Sequence, residues 1–468
     1  MRGFMKKFTK IIICLLLCVM TFGFASCRDK KPEVDPNFPT ANMTTYGNGG
    51  LSVRKGNYLY FVNGYQSVAD LENKSDVSNV HVGALMIARL DDEGNLVTDD
   101  NGQVKDDYLR VMSDKLCGFE ATDLYVFGEY LYFTSPCEEN DSETGEWAKN
   151  LVEFNRIKLD KSGKVENLYT SQVENSKLEY SYFFDGEDAF LLVYEKEANL
   201  YDEDKSNRLV RVKGSKSEEV LCDVTSVVMP TGEDALDRIF FVATVKENNT
   251  SNNVLYRYNV ANNTKTEFTK NSSTIEVNAV TGGYVYCTFT DGTRKPFERS
   301  RIDAANFNRV CYADICDKVV VSPDAKIVVT ISDTNFFQFY VHNANVPSQN
   351  PLTYTDEDAT SVKVIGFVNG SLIYIDNSNN VKALAYSLVL EGKQPTVKTI
   401  TTLTDVETDD LDNLDLDEEY LYFFKKVGSN KYLFRVLVNN NIDSESELVG
   451  KYLEDDIPEE TEEEAELG

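Results

Sequence analysis

The sequence predicts an all-β protein, a β-propeller built from four-stranded antiparallel blades, with eight blades as the favoured number. Three observations lead to this prediction. A short run of aromatic and aliphatic residues recurs eight times, each copy flanked by further strand patterns in the same order. No sustained helical periodicity follows the first 26 residues. The 468 residues also exceed the roughly 250–300 that one hydrophobic core supports, which a ring of repeated units resolves.

The repeating unit contains four predicted strands, A to D. Strand B is the aromatic and aliphatic run, because β-branched and aromatic residues suit a buried strand. Its copies are residues 58–61, 130–133, 190–193, 239–242, 284–287, 327–330, 372–375 and 420–423. Strand C follows at residues 85–90, 151–159, 209–212, 254–260, 297–302, 337–342, 381–390 and 432–437. Strand A precedes strand B across a tight turn, and a more polar strand D, such as 166–170, closes the unit.

Eight complete units between residues 44 and 452 favour eight blades. Seven blades remain the alternative if the weakest unit, the one around Phe190, is not a blade. A pair of β-sandwiches would not require the same four-strand order eight times.

The N-terminus has the pattern of a targeting segment. Basic residues precede an apolar stretch at 11–24, which is too short for a comfortable membrane span. Residues 24–27, Phe-Ala-Ser-Cys, resemble a bacterial lipobox. That resemblance implies a lipoprotein signal peptide at 1–26 and acylation of Cys27. Residues 27–43 are then a lipid anchor and proline-rich tether, and the protein is extracytoplasmic; an ordinary secretory signal is the alternative.

The opposite end of the chain is strongly acidic. Residues 453–468 are predicted to form an acidic disordered tail, with nine carboxylates between 454 and 466. Six cysteines lie beyond Cys27, and an even number outside the cytoplasm permits disulfides whose pairing the sequence leaves open.

Composition excludes several classes of function. The 77 acidic against 47 basic residues give a formal net charge of −30, which argues against a nucleic-acid partner. The two histidines, His81 and His342, are not paired with a nucleophile, and no glycine-rich phosphate loop or Cys-x-x-Cys motif occurs. The sequence therefore favours a protein without cofactor or catalysis, although it does not exclude an enzyme.

The residues that open strand B carry a family resemblance. Gly-x-Tyr-Leu-Tyr-Phe occurs at 56–61 and again at 128–133. With the repeating units, it resembles uncharacterised bacterial β-propeller lipoproteins, which are distantly similar to low-density-lipoprotein-receptor-type and TolB-like propellers. The resemblance covers most of the chain beyond Cys27. It implies the fold and transfers no functional residue.

An acidic connector between the last two units is a weak candidate for a calcium site. Calcium prefers several oxygen ligands. The candidate ligands are Asp405, Glu407, Asp409, Asp410 and Asp412, although the glycine of an EF-hand loop is missing. A merely solvated loop is the alternative.

The B–C loops are the predicted binding surface, because loops on a rigid scaffold usually carry binding. They are long in blades 1 to 4, at residues 62–83, 134–150, 195–207 and 244–253, and short afterwards. They share one face with the D–A connectors. Tyr65, Trp147 and Tyr201 lie in these loops and are the predicted aromatic contacts. Tolerated insertions are the alternative interpretation.

Together these features predict a lipid-anchored, non-catalytic binding or scaffold protein of the cell envelope. Its partners would be the membrane, through the N-terminal lipid, and an envelope protein or glycan. The alternative is an envelope hydrolase or lyase that acts on polysaccharide or peptide through carboxylates at the mouth of the propeller channel.

Overall fold

The computed structural model of the chain describes residues 43–458, with short gaps at 66, 72–73, 75–81, 120–121, 161–162, 202–203, 231–234, 308–309, 314–317, 333–334, 344–345, 348–349 and 439–443. The predicted signal peptide, Cys27, most of the tether and His81 therefore lie outside the described residues. The described part of the chain contains no helix with the length and apolarity needed to cross a bilayer.

The described residues form eight antiparallel sheets arranged in a ring, so the chain is an eight-bladed β-propeller. Within each sheet the strands follow one another in chain order. Blade 1 comprises β1 (Thr45–Tyr46), β2 (Ser52–Lys55), β3 (Tyr58–Val62), β4 (Ala84–Arg89) and β5 (Leu109–Leu116). Blade 2 comprises β6 (Tyr125–Phe127), β7 (Tyr130–Pro136), β8 (Leu151–Lys158) and β9 (Val165–Glu174). Blade 3 comprises β10 (Leu178–Phe184), β11 (Ala189–Tyr201), β12 (Asp204–Lys213) and β13 (Lys216–Cys222). Blade 4 comprises β14 (Val224–Val228), β15 (Ile239–Glu247), β16 (Thr250–Asn259) and β17 (Thr264–Asn271).

The second half of the ring repeats the pattern. Blade 5 comprises β18 (Thr274–Thr281), β19 (Tyr284–Thr290), β20 (Phe297–Arg301) and β21 (Val310–Ala313). Blade 6 comprises β22 (Lys318–Val321), β23 (Ile327–Ser332), β24 (Phe336–Asn343), β25 (Val346–Pro347) and β26 (Leu352–Thr355). Blade 7 comprises β27 (Val362–Val368), β28 (Ser371–Asp376), β29 (Asn380–Ala385), the helix α1 (Ser387–Leu390) and β30 (Val397–Thr402). Blade 8 comprises β31 (Asp415–Leu416), β32 (Tyr420–Val427), β33 (Asn430–Leu437) and β34 (Glu447–Leu448).

All eight predicted copies of strand B are central strands of a blade, including the one at Phe190, so the seven-blade alternative is wrong. Strand β3 is buried along its whole length, as is β28. A strand buried on both faces needs apolar side chains at successive positions, which explains why the runs do not alternate. One boundary differs from the prediction. Strand C of blade 7 ends at Ala385 rather than 390, because Ala385 is its last residue paired with β28, and α1 follows.

The core is divided among the blades. Eight hydrophobic clusters occupy the eight junctions between neighbouring blades. Strand A of one blade contacts strand A of the next, as β2 does with β6 and β14 with β18, so these strands are innermost in the ring. Stability therefore depends on side chains that interlock between sheets rather than on one central core.

The first and last blades meet without sharing a sheet, because blade 1 contains only β1–β5 and blade 8 only β31–β34. Side-chain hydrogen bonds and apolar packing contribute to joining them instead. The buried side chain of Asn63 accepts a hydrogen bond from Lys451 N and donates one to Lys451 O, each at 3.0 Å. The backbone N–H of Leu51 donates to Asp415 Oδ2 at 2.9 Å. A shared hydrophobic cluster contains Phe61 from blade 1 and Tyr422 from blade 8.

The folded part of the chain continues beyond residue 452, after which the acidic tail was predicted to begin. Residues 453–458 pack against blade 8. The buried carboxylate of Asp456 accepts hydrogen bonds from Tyr432 Oη at 2.7 Å and from Asn430 Nδ2 at 2.6 Å. Residues 459–468 of the predicted tail lie outside the described residues.

Among the described residues, the junction between blades 5 and 6 has the smallest apolar cluster, with four buried members. Polar groups fill the rest of it. His342 Nε2 faces Tyr312 Oη at 2.5 Å and Arg299 Nη1 at 3.3 Å. Since both neighbours donate to Nε2, the ring proton belongs on Nδ1, which is buried without a partner among the described residues. Burial, with a further contribution from the Arg299 cation, lowers the pKa of His342 to about 4.

This depressed pKa predicts an acid-sensitive junction. The pKa of His342 in the folded protein lies below its value of about 6.5 in the unfolded chain. The junction therefore has its full stability above pH 6.5, where His342 is neutral in both states. It loses stability as the pH falls toward 4, because protonation of His342 then favours the unfolded chain. The variant His342→Gln cannot be protonated, so we expect its Tm to fall less than that of the wild type between pH 7 and pH 4.5. The expected difference is about 1–2 °C, since a change of about 1 kcal/mol moves the Tm of a large domain by only a few degrees. Both proteins contain the same carboxylates, so titration of those groups changes the two Tm values equally. Equal slopes of Tm against pH would contradict the lowered pKa of His342.

Candidate functional site

The antiparallel order of each blade gives the ring two distinct faces. B–C loops and D–A connectors emerge at one end of the strands, which we call the connector face. A–B turns and C–D segments emerge at the other end, which we call the turn face. Among the described residues, the predicted binding residues and the acidic connector belong to the connector face.

The extended segments of blades 3 and 4 are strands and not loops, so the predicted loops at 195–207 and 244–253 are wrong. Strand β11 continues to Tyr201 and β12 begins at Asp204. In blade 4 the pairing continues to Glu247 and Thr250, joined by Asn248 and Asn249. These two asparagines have φ values of 48° and 65°, as a tight hairpin turn requires. Polar, asparagine-rich sequence suggests a loop, but here it forms the exposed end of a hairpin.

The three predicted aromatic contacts have different environments, and the first of them is a core residue. Tyr65 is only 7% exposed, packs edge-on against Phe424 with a ring-centroid distance of 5.0 Å, and belongs to the cluster between blades 1 and 8. Its hydroxyl lies 2.8 Å from Lys431 Nζ and 3.3 Å from Asp410 Oδ1. Tyr65 therefore helps to close the ring and is not available as a surface contact.

Trp147 folds back onto its own loop in blade 2. Its indole Nε1 donates to Cys137 O at 2.5 Å, and its backbone forms an antiparallel bridge with Asn140. The ring remains half-buried, with Lys149 Nζ 5.6 Å from its centroid. The indole thus stabilises the loop while part of its surface stays accessible. Tyr201 ends β11 opposite Asp204, and its side chain lies outside the described residues.

The acidic connector does not gather its carboxylates into a calcium site, because lysines pair with four of the five candidate ligands. Lys431 contacts Glu407 at 2.9 Å and Asp410 at 2.8 Å. The remaining pairs are Lys425 with Asp405, Lys426 with Glu407, and Lys363 with Asp412. Hydrogen bonds from the lysines lower the pKa of Glu407 to about 2. Asp409 is exposed, and no group of three or more His, Cys, Asp or Glu able to hold a metal occurs among the described residues.

A cavity of about 430 Å³ opens on the connector face, and we call it the mouth cavity. Its walls come from the B–C loops of blades 1 and 2 and from the D–A connectors around them. The lining includes Val68, Phe119, Asn150, Glu174, Asn175 and Asn413. Short polar side chains dominate, and Phe119 is its one aromatic side chain. The described lining residues can form hydrogen bonds with a ligand, but none of them is a nucleophile paired with a base.

Two carboxylates follow the mouth-cavity residues along the chain, toward the centre of the ring. Asp123 lies four residues after Phe119, and Asp415 lies two residues after Asn413. Both are partly accessible to water but surrounded by protein. Burial raises the pKa of Asp123 to about 7, with a smaller contribution from the Asp415 charge. Burial likewise raises the pKa of Asp415 to about 6, against the opposing effect of the Leu51 N–H. Carboxylates with such pKa values are candidates for proton transfer.

Sequence reasoning missed this pair. Its signal is an acidic residue at the start of strand A, because Asp415 is the first residue of that strand in blade 8 and Asp123 lies two residues before it in blade 2. Since strand A is innermost, carboxylates near its start lie toward the ring axis. The long acidic connector before Asp415 hid it among eight other carboxylates between 405 and 419.

The cysteines outside the N-terminal segment show no disulfide among the described residues. Cys117, Cys137, Cys222 and Cys287 are free. Burial raises the pKa of the Cys117 thiol to about 12, so that thiol is unsuited to nucleophilic chemistry. Cys316 lies outside the described residues.

Comparison with known proteins does not assign the chain to a family. No protein-family model matches the sequence, and no curated protein matches it. Among solved structures, the acylaminoacyl peptidase of Pyrococcus horikoshii is 9% identical, with 71% of this chain and 52% of that chain covered and a TM-score of 0.42. TolB from Acinetobacter baumannii is 12% identical, with 68% and 79% covered and a TM-score of 0.32. An oligogalacturonate lyase in complex with manganese is 8% identical, with 85% and 96% covered and a TM-score of 0.39.

The chain thus spans about half the length of the acylaminoacyl peptidase. These neighbours include peptidase, lyase and TolB-like proteins, and at such identities they indicate no common activity. The strand order of the eight sheets establishes the fold independently.

Proposed function

We propose that the protein is a lipid-anchored, extracytoplasmic β-propeller that binds a partner in the cell envelope through its connector face. The observation that carries this proposal is the mouth cavity, an opening of about 430 Å³ whose walls come from separate connectors held by rigid blades. Binding sites are commonly built from loops positioned in this way.

The position at which the N-terminal segment joins the propeller also supports binding through the connector face. Met43 and Thr44 lie beside the A–B turn of blade 1, where Gly56 N donates to Thr44 O at 3.3 Å. The chain therefore enters on the turn face. A tether attached there leaves the connector face unobstructed by the anchor.

An envelope hydrolase or lyase is the second candidate, and the pair Asp123 and Asp415 favours it. A carboxyl group with a pKa near 7 can act as a general acid while a neighbouring carboxylate acts as base or nucleophile. Against this function, Asp415 Oδ2 is already occupied by the Leu51 N–H, which joins blade 8 to blade 1. Ring closure therefore already accounts for the position of Asp415.

The anchoring part of the proposal predicts the behaviour of Cys27→Ala. Without the acylated cysteine, we expect the protein to move from the membrane fraction to the soluble fraction, because the acyl chains are the proposed anchor and the described residues contain no helix able to cross a bilayer. Fractionation after a carbonate wash measures this. The matched control, Cys311→Ala, alters an exposed cysteine of the propeller and should remain with the membrane. If Cys27→Ala also remained there, lipid anchoring at Cys27 would be wrong.

The binding part predicts an asymmetry within the connector face. With a soluble form lacking residues 1–27, we expect Asn175→Arg and replacement of residues 138–149 by a short Gly-Ser linker each to reduce retention of an envelope partner at least tenfold. The first fills the mouth cavity, and the second removes the part of the blade 2 loop that leads into the cavity wall at Asn150. Trp147→Ala should cause a smaller loss, since the indole chiefly holds the loop.

Shortening of residues 290–295, in blade 5 on the same face, is the control. Quantitative pull-down from envelope extract, with circular dichroism to verify folding, compares the four proteins. Equal losses in the control and in the mouth variants would remove the asymmetry on which the proposed site depends.

The catalytic candidate predicts a different pattern. A panel of polysaccharides and peptides should show no turnover with the wild type if binding is the function. If turnover occurs, Asp123→Asn should reduce kcat at least 100-fold, because an amide cannot donate or accept the proton. Asp185→Asn is the matched control, since Asp185 caps its own turn in blade 3 through the N–H groups of Glu187 and Asp188, which an Asn can still do. Turnover that survives Asp123→Asn would exclude this pair as the catalytic groups.

A further inference from the structure

A second cavity lies on the turn face, away from the proposed binding site. It has a volume of about 890 Å³ and belongs to blade 1. Its walls are the A–B turn at Gly56 and Asn57, the C–D segment, and the first described residues of the chain. We call it the turn cavity. Its volume lies within the range of about 300–1,000 Å³ typical of small-molecule sites.

The charges that line the turn cavity are balanced. Two guanidinium groups, from Arg54 and Arg89, face two carboxylates, from Asp91 and Asp92. In a chain with a formal net charge of −30, such a balance differs from the protein as a whole. A polyanion would meet both carboxylates and the overall negative field, while a cation would meet both arginines. The lining therefore favours a ligand without net charge.

These polar groups are held in place by the fold. Arg54 Nε donates to Gly56 O at 3.1 Å. The guanidinium carbon of Arg89 lies 4.6 Å from the centre of the Tyr108 ring. Asp91 Oδ1 accepts the N–H groups of Glu93 and Asn95 at 3.0 and 2.7 Å. Fixed donors and acceptors side by side suit a ligand that both donates and accepts hydrogen bonds, as hydroxyl groups do.

The cavity also presents apolar surface at its rim. Only four large hydrophobic side chains among the described residues are strongly exposed, and two of them, Met43 and Tyr46, line this cavity at 40% and 42% exposure. Tyr46 pairs with Arg54 across the β1–β2 ladder, so the two side chains lie on the same face of the sheet. An exposed aromatic ring offers a flat apolar surface to a ligand with C–H groups on one face.

We propose that the turn cavity binds a neutral oligosaccharide, because such a ligand combines hydroxyl groups, apolar C–H faces and zero net charge. A hydrophobic ligand would remove the four charged side chains from water without offering them hydrogen bonds, which is costly. The site does not depend on the function proposed above, since it lies on the opposite face of the ring.

Saturation-transfer NMR with the full-length chain in a non-glycosidic detergent tests this. The probes are the neutral trisaccharides maltotriose, cellotriose, xylotriose and tri-N-acetylchitotriose, with trigalacturonate as the anionic comparison. We expect at least one neutral trisaccharide to receive saturation and trigalacturonate to receive less. Tyr46→Ala and Asp92→Asn should each weaken binding of that trisaccharide at least fivefold, while Tyr46→Phe should retain it.

Leu390→Ala is the matched control. Leu390 is 38% exposed and ends α1 in the C–D segment of blade 7, on the same face but away from the cavity. Its variant should bind as the wild type does, and the Tm of each variant verifies folding. The proposal is overturned if no neutral trisaccharide binds, if trigalacturonate binds more tightly than all of them, or if Leu390→Ala weakens binding as much as Tyr46→Ala.

Discussion

The structure depends on closing a ring whose two ends never share a sheet. Blade 1 comes entirely from the start of the described chain and blade 8 from its end, so no ladder of backbone hydrogen bonds joins them. The buried amide of Asn63 takes that role by pairing with both backbone groups of Lys451. Without this side chain two backbone groups would lose their partners, and each buried group left unsatisfied costs about 1–3 kcal/mol. Apolar packing between Phe61 and Tyr422 supports the same junction.

Ring closure also explains why the sequence misled about the site. Tyr65 was expected on the surface because it follows strand B in a polar segment, yet its hydroxyl joins Lys431 and Asp410 across the junction of blades 8 and 1. Asp410 was expected as a calcium ligand, but it is fully buried beside that lysine. In both cases the role is determined by partners from other segments of the chain: Lys431 and Asp410 for Tyr65, and Tyr65 and Lys431 for Asp410. Local composition contains no information about such a partner.

The fold was more predictable than the site because the two depend on different ranges of interaction. Eight copies of strand B are visible in sequence, since a strand covered on both faces must be apolar at successive positions. The hairpins of blades 3 and 4 were mistaken for loops, because exposed strands carry the same asparagine and serine residues as loops. Asp123 and Asp415 were overlooked because their raised pKa values come from burial near the ring axis, which only the assembled blades create.

Two segments of blade 1, the B–C segment and the C–D segment, each contact blade 8 at the ring closure and line one of the two cavities. The B–C segment supplies Asn63 to the junction and Val68 to the mouth cavity. The C–D segment binds the end of blade 8 through Val104 N to Gly450 O and through Gln103, which accepts from Tyr452 N, while its Asp91 and Tyr108 line the turn cavity. A ring without a shared sheet needs additional contacts at its closing junction, and long connections supply them. Because those connections also form the walls of both cavities, a ligand that bound in either cavity would stabilise the closed ring as well.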